Sequence, residues 1–384
     1  MSARTIHVLQ VINTARVGGG MGHLYALVRA LDPPEFKATI VATDEGSLTH
    51  KLRDEGFNFV DLNMMRSRLN PKAILALADL IERLDVDIVH LHGTRAGWFG
   101  ALAGLLKRRR KTIYTIHGFS FNKDMSSPGK MFYTQIERLL ARMHDQLISV
   151  CDKDREEAVQ KGICCEEKIL TIHNGIDIHR FDPALLNGQG MLMRRSWEIG
   201  GQSPVVGTVA RLVPQKGIEE FINAADLVRR KRPDVRFVVV GEGELRPRLE
   251  AHARRLGLDN GVLRFVGPSD EVPNALSALD VFVLSSLWEG HPISLLEALA
   301  MELPSVATET SGTPEILKHR ETGLLVPPKD PPALADAILY MLDNPRQAAQ
   351  MGARGRREVV ERFAESRMVD NTLDIYRRLA AESS

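Results

Sequence analysis

The chain has 384 residues, 44% hydrophobic and 26% charged, a length and composition that suit two ordinary globular domains and exclude an extended disordered tract. Lys and Arg number 50 against 49 Asp and Glu, and the net charge of +1 removes any global case for a nucleic-acid partner. Cys151, Cys164 and Cys165 lack metal-type spacing and fit a reducing compartment. Residues 1–4 run straight into a strand pattern without an apolar leader, and no apolar run reaches membrane-spanning length, so a cytoplasmic protein is expected.

Apolar, β-rich runs alternate with longer helical patterns from the start: a strand over 6–12, a helix over about 23–31, strands over 37–42 and 57–61, and a helix over 71–84. The alternation continues with a strand over 88–92, a helix over 96–106, a strand over 112–116, a helix over 130–143 and a strand over 146–150. A second series has strands over 205–210, 236–240, 262–266, 281–284 and 305–307, with helices over 218–231, 245–256 and from Pro292. Both series predict α/β, doubly wound parallel sheets. Between them, 183–202 holds Gly188, Gly190, Gly200 and Gly201 and reads as the interdomain connection. The expected division is 1–185, a linker over 186–202, and 203–365.

Ligands of open parallel sheets bind beyond the carboxyl ends of strands, so the residues after each strand matter most. After the first come Gly18, Gly19 and Gly20, whose backbone can approach a phosphate or an acceptor closely. After 112–116 comes His117, able to hydrogen-bond a sugar hydroxyl or settle charge near a reacting carbon. His90, His92 and His173 look similar but have nothing convergent beside them, and His90 with His92, on one face of a strand, lacks a third metal ligand.

After 205–210 come Arg211, a fork for phosphate oxygens, and Lys216, a point charge at a helix start, together suited to a departing diphosphate. Gly241, Gly243 and Gly267 follow the next two strands and offer bare backbone to a diphosphate, sugar or base. The most informative segment is 287–297. With Pro292 at the first helical position, the amides of Ile293, Ser294 and Leu295 are free to face an anion, while Glu289 and Glu297 suit sugar and ribose hydroxyls better than phosphate. Cations, anion-binding amides and hydroxyl acceptors at the strand exits of one domain point to a nucleotide-sugar.

In combination these motifs resemble the retaining glycosyltransferases of family 4. The resemblance runs along nearly the whole chain, through Gly18–Gly20, Thr115-Ile116-His117-Gly118, His173-Asn174-Gly175-Ile176-Asp177, Arg211 with Lys216-Gly217, and Gly241-Glu242-Gly243. It is sharpest at Glu289 and Glu297, which look like the family's E-x7-E signature, and at Gly312-Thr313-Pro314-Glu315. The N-terminal half looks most like exopolysaccharide and O-antigen members. The resemblance implies the GT-B fold, two Rossmann-like domains facing a central cleft, with a last helix over 366–384 returning to the first domain. It implies that Arg211 and Lys216 bind the donor diphosphate, Glu297 the ribose and Glu289 the transferred sugar. His117 would sit beside that sugar, with Gly19 and Gly20 lining the donor or acceptor side.

The implied activity is hexosyl transfer with retention of configuration. The donor is a UDP-sugar ahead of a GDP-sugar, and the acceptor is a glycan or a polyprenyl-diphosphate-linked one. No cofactor and no metal are expected: Asp85-Val86-Asp87 resembles a metal-binding D-x-D but lies at a strand entry. Residues 98–106 followed by the basic run 107–111 read first as a core helix with a solvated basic end, and second as a peripheral contact with anionic membrane, at the inner face of the cytoplasmic membrane. A GT-B sugar-nucleotide epimerase and a non-catalytic sugar-nucleotide-binding protein are the alternatives. The role of His291 stays open.

Overall fold

A computed structural model describes residues 4–13, 19–31, 33–43, 47–64, 70–107, 110–119 and 126–382. The chain divides into two compact units, one of Met1–Asn174 with Ser366–Ser384 and the other of Gly175–Glu365.

The first unit contains β1 (Ile6–Ile12), α1 (Gly19–Ala30), β2 (Phe36–Ala42), α2 (Ser47–Asp54), β3 (Asn58–Asp61), α3 (Pro71–Arg83), β4 (Ile88–His92) and α4 (Gly93–Leu106). It continues with β5 (Lys111–Ile116), α5 (Ser127–Met143), β6 (Gln146–Ser149), α6 (Asp152–Gln160) and β7 (Ile169–Thr171). The strands form one seven-stranded sheet in the order β3-β2-β1-β4-β5-β6-β7, with every pairing parallel. The near-continuous apolar strands follow from helices on both faces. Leu9, Val11, Val89 and Leu91 face α3 and α4, while Val8, Ile88 and Ile113 pack with Leu27 of α1 and with Met368 and Leu373 of the helix Glu365–Ala381. Asn70 caps α3 by accepting from the Ala73 amide, with Pro71 opening the helix.

The second unit continues with α7 (Gln189–Ser196), β8 (Val205–Val209), α8 (Ile218–Lys231), β9 (Arg236–Val240), α9 (Arg246–Arg255), β10 (Leu263–Gly267), α10 (Val272–Ser277), β11 (Val281–Leu284) and α11 (Ile293–Ala300). It then adds β12 (Ser305–Thr308), α12 (Thr313–Ile316), β13 (Leu324–Val326), α13 (Pro331–Asp343) and α14 (Pro345–Arg362); the helix Glu365–Ala381 is α15. Its sheet runs β10-β9-β8-β11-β12-β13, again parallel. Both sheets reverse direction beside their first strand, between β1 and β4 and between β8 and β11, and those are the switch points where such sheets place ligands.

The expected linker is not a linker. Residues 183–202 carry a 3-10 turn at Pro183–Leu185 and α7, and Trp197 and Ile199 are buried in the core of the second unit. The glycine signal reflects close packing, because a Cβ on Gly190 would meet the Ser277 carbonyl oxygen at 2.2 Å. The change of unit falls at Asn174–Gly175 and again at Glu365–Ser366. Several short elements, among them α2, α6, β7 and β13, and the long helices α13 and α14 have no counterpart among the elements expected from the sequence.

Candidate active site

In the second unit, the loops after β8, β9, β10, β11 and β12 are tied together at the carboxyl end of the sheet. The Leu212 amide donates to the Glu242 carbonyl (2.9 Å), the Gly241 amide to the Gly267 carbonyl (2.8 Å), the Leu287 amide to the Gln215 carbonyl (2.8 Å) and the Gly312 amide to the Gly290 carbonyl (3.0 Å). Glycines make these approaches possible. A Cβ on Gly241, whose φ is +143°, would lie 1.9 Å from the Ala210 oxygen, and one on Gly217 would lie 2.1 Å from the Ser285 oxygen.

This staple sets Lys216 against Glu289. Lys216 Nζ lies 2.5 Å from Glu289 Oε1, with the side chains only 14% and 6% exposed. Ser286 Oγ donates to the same oxygen at 2.5 Å, and Gln215 Nε2 reaches Oε2 at 3.3 Å while also donating to the Trp288 carbonyl at 3.0 Å. A buried carboxylate with three donors is held in one orientation, and its ammonium partner keeps further N–H groups to offer. Arg211, on the same β8 exit, is exposed and has no ion-pair partner among the described residues.

The helix that begins after Glu289 differs in one detail from the sequence reading. Pro292 (φ −72°, ψ 110°) caps α11 from outside rather than occupying its first turn. The Leu295 amide already donates to the Pro292 carbonyl at 3.2 Å, so only the amides of Ile293 and Ser294 are left without an intrahelical acceptor. Glu297 receives no side-chain hydrogen bond among the described residues, and burial pushes its carboxyl up to about 7 against the opposing pull of Arg180 and Lys216.

In the first unit, His117 after β5 lies in a group of four imidazoles. His23 of α1 meets it edge-on at 5.1 Å between ring centroids, His92 stacks on it at 5.6 Å, and His90 lies 4.2 Å from His92. Burial, reinforced by the neighbouring rings, drives His117 down to about 3 and holds His90 and His92 well below the usual imidazole range, while burial takes His23 to about 4 against its bond to Asn174. All four are neutral at physiological pH.

Family models match both units: "Glycosyltransferase Family 4" over residues 17–180 and "Glycosyl transferases group 1" over 192–358. A UDP-Gal:alpha-D-GlcNAc-diphosphoundecaprenol alpha-1,3-galactosyltransferase of Escherichia coli is 30% identical over 348 residues, 89% of each chain. The chain belongs to glycosyltransferase family 4. An N,N'-diacetylbacillosaminyl-diphospho-undecaprenol alpha-1,3-N-acetylgalactosaminyltransferase of Campylobacter jejuni is 25% identical over 92% of this chain and 94% of its own. Among solved structures, Anabaena HepE in complex with UDP-glucose superposes with a TM-score of 0.83 at 21% identity, covering 96% of this chain and 99% of that one, and supports the GT-B fold.

Of the residues singled out in this glycosyltransferase from sequence, Lys216 and Glu289 are brought into direct contact, with Ile293, Ser294 and Glu297 on the helix that follows. Backbone of Ala210 and Leu212 fills the space on the Cβ side of Gly241 and Gly243, so both glycines join loops, whereas a Cβ on Gly267 would come no nearer than 3.9 Å to Arg246. Gly19 and Gly20 are the first residues of α1 rather than loop, and Gly20 sits against His117, where a Cβ would touch its ring at 3.7 Å. Gly18 lies outside the described residues.

His90 and His92 do have convergent partners, contrary to expectation, and His23 was missed although three residues after Gly20 it shares that helix face. Asp85 and Asp87 sit at the α3–β4 turn, where Asp87 accepts from Arg4 (2.6 Å) and from the His7 amide (2.8 Å). The basic run is matched by acids: Lys107 pairs with Glu82 and Asp79, Arg110 with Asp85 and Lys111 with Glu382, while Arg108 and Arg109 lie outside the described residues. Trp98 and Leu102 pack inward, leaving Leu105 and Leu106 exposed, and no helix among the described residues is long and apolar enough to cross a membrane.

Proposed function

We propose that this glycosyltransferase moves a hexosyl group from a nucleoside-diphosphate sugar, UDP-linked ahead of GDP-linked, to a hydroxyl of a polyprenyl-diphosphate-linked or growing surface-polysaccharide glycan, with retention of configuration and without a metal. The observation that carries the reading is the Lys216–Glu289 pair at the β8/β11 switch point, on the same β8 exit as Arg211, a cation without an ion-pair partner among the described residues. Glycosyl transfer develops negative charge on the departing diphosphate. Arg211, the spare N–H groups of Lys216 and the amides of Ile293 and Ser294 are the groups to receive it, already oriented before reaction.

Glu289, its charge balanced by Lys216, accepts from hydroxyls of the transferred sugar, and Glu297, with no donor of its own, accepts from the ribose. His117, neutral, accepts or donates at the sugar without changing charge. The leaving diphosphate takes the acceptor proton on the same face, which retains configuration with no protein nucleophile. UDP as donor nucleotide is supported by the UDP-Gal named for the E. coli relative and the UDP-glucose held by Anabaena HepE; the lipid-linked acceptor is supported by the diphosphoundecaprenol named for the E. coli and C. jejuni relatives. Peripheral residence at the inner face of the cytoplasmic membrane follows from such an acceptor rather than from the charge-matched basic run.

A thermal-shift panel of UDP, GDP, ADP and their sugar conjugates, run on the wild type and on Arg211→Ala, tests the donor site. A ligand that binds only the folded state raises the melting temperature, and 100 Kd of it contributes about 2.7 kcal/mol. Stabilisation by uridine compounds, weakened in the variant, is expected; no shift with any nucleotide would overturn the reading.

A further inference from the structure

Three imidazoles of the first unit, His90, His92 and His117, are links in a single chain of hydrogen bonds that crosses the sheet on one face. Gln10, His90, His92 and Thr115 project from β1, β4 and β5 at alternate positions, and Tyr376 of α15 covers them. From the outer end, His117 Nε2 lies 3.4 Å from His92 Nδ1, and His92 Nε2 lies 2.8 Å from Gln10 Oε1. Gln10 Nε2 donates to the Tyr376 hydroxyl at 2.8 Å, that hydroxyl lies 2.6 Å from His90 Nδ1, and His90 Nε2 lies 2.7 Å from Thr115 Oγ1.

A neutral imidazole has one N–H and one lone pair, and its tautomer follows from its neighbours. Gln10 is the member of the chain whose two ends have fixed roles, because an amide oxygen only accepts and an amide nitrogen only donates. His92 must therefore carry its proton on Nε2, to give to Gln10 Oε1. Its Nδ1 is then a lone pair facing His117 Nε2, which must supply the proton. On the other arm, Tyr376 accepts from Gln10 and gives its own hydrogen to His90 Nδ1, so the His90 proton sits on Nε2 and goes to Thr115. Each link points the same way, and the free end is the Nδ1 lone pair of His117, which has no protein partner among the described residues.

We propose that Gln10 is a positioning residue which, through His92, fixes the proton of His117 on Nε2 and presents His117 Nδ1 as a hydrogen-bond acceptor. That the group received there is a sugar hydroxyl rests on the function proposed above. A bare lone pair at that place also favours the positive charge that develops on the transferred sugar, without a proton to move. The depressed basicity of all four rings keeps the arrangement in force across the working pH range.

The test is long-range 15N–1H correlation spectroscopy of the full chain with its 12 histidines selectively labelled, which reads for each ring which nitrogen holds the proton. His90, His92 and His117 are expected as Nε2–H tautomers in the wild type. Gln10→Met, which fills the same space without a polar end, is expected to turn His92 and His117 into tautomer mixtures and to lower kcat about tenfold. Tyr376→Phe, which breaks the chain only on the far side of Gln10, is expected to release His90 and leave His117 as it was. A wild-type His117 protonated on Nδ1, which is the pattern of the opposite Gln10 amide orientation, overturns the proposal, as does a His117 signature unchanged in Gln10→Met. If the methionine variant does not fold, the wild-type and Tyr376→Phe spectra still decide. Addition of a UDP-sugar separates the two readings: a correct tautomer whose Nδ1 resonance ignores the donor sinks the functional assignment of His117 and leaves the role of Gln10 standing.

Discussion

Each unit places its chemistry at the point where the strand order turns back, yet the two use opposite means. The second unit concentrates charge: a buried ammonium–carboxylate pair, an exposed guanidinium and a carboxyl held near neutrality. The first excludes charge and relies on neutral rings whose protons are fixed by an amide and a phenol. A departing diphosphate needs full charges to meet it, whereas a hydroxyl is read by directed hydrogen bonds, so the function proposed for each unit follows its own chemistry.

The largest test of that contrast is Lys216→Met. It strands the Glu289 carboxylate, 6% exposed, without its cation, and is expected to cost about 3 kcal/mol of stability and about 10³-fold in transfer. Converting Glu289 to Gln in the same chain should return much of the urea midpoint and none of the turnover. Restored turnover would show that the cation serves the fold rather than the donor. Arg211→Ala is the smaller and cleaner change. Exposed, and unpaired among the described residues, Arg211 can be removed with less than about 0.5 kcal/mol change in unfolding free energy, while transfer falls by about 10². Equal losses of stability and activity would place it in the scaffold.

A pH series of urea melts should separate the units on the acid side. Glu137 of the first unit, pushed up to about 7 by burial, titrates as Glu297 of the second does, and the clustered imidazoles make the difference. The four clustered imidazoles, His23, His90, His92 and His117, are less basic folded than unfolded, so their contribution is complete above about pH 6.5. It is lost as pH falls toward 4, at up to about 1.4 kcal/mol per pH unit for each ring. Glu297 works the other way. Its folded value of about 7 exceeds the ordinary carboxyl value, so its contribution is complete below the ordinary range and lost as pH rises through 7. Trp98 in the first unit and Trp197 and Trp288 in the second provide separate fluorescence probes in Trp→Phe backgrounds. Parallel curves from the two probes, or a curve for the second unit unaffected by Glu297→Gln, would erase the distinction.

Most strands and the helices between them were legible because a parallel sheet buried on both faces leaves apolar strands with helical periodicity between them, and α8, β4, β9 and β11 fall where the pattern puts them, whereas the long helices α13 and α14 were not read. The contact of Lys216 with Glu289 was foreshadowed for a related reason, since both follow strand ends within one local series. Of the histidine cluster in the first unit, only His117 stood out. Gln10, His23, His92 and Tyr376 become neighbours only through sheet register and the return of α15, neither of which leaves a local signature. Glycine was the most misleading residue. The same absence of a Cβ marks a flexible joint, a ligand approach or a tight backbone crossing, and Gly190, Gly241 and Gly243 are all crossings.

The bond between Gln10 and Tyr376 spans 366 positions of sequence. A ribosome delivers β1 early, but the phenol that completes the polar interior of the same unit emerges only after all of Gly175–Glu365 has been made. The contiguous unit is thus free to fold during synthesis while the discontinuous one waits with Gln10 and His90 short of a partner. A nascent chain of residues 1–365 followed by an unrelated linker long enough to clear the exit tunnel should protect Gly175–Glu365 from protease and leave the first unit open to cleavage.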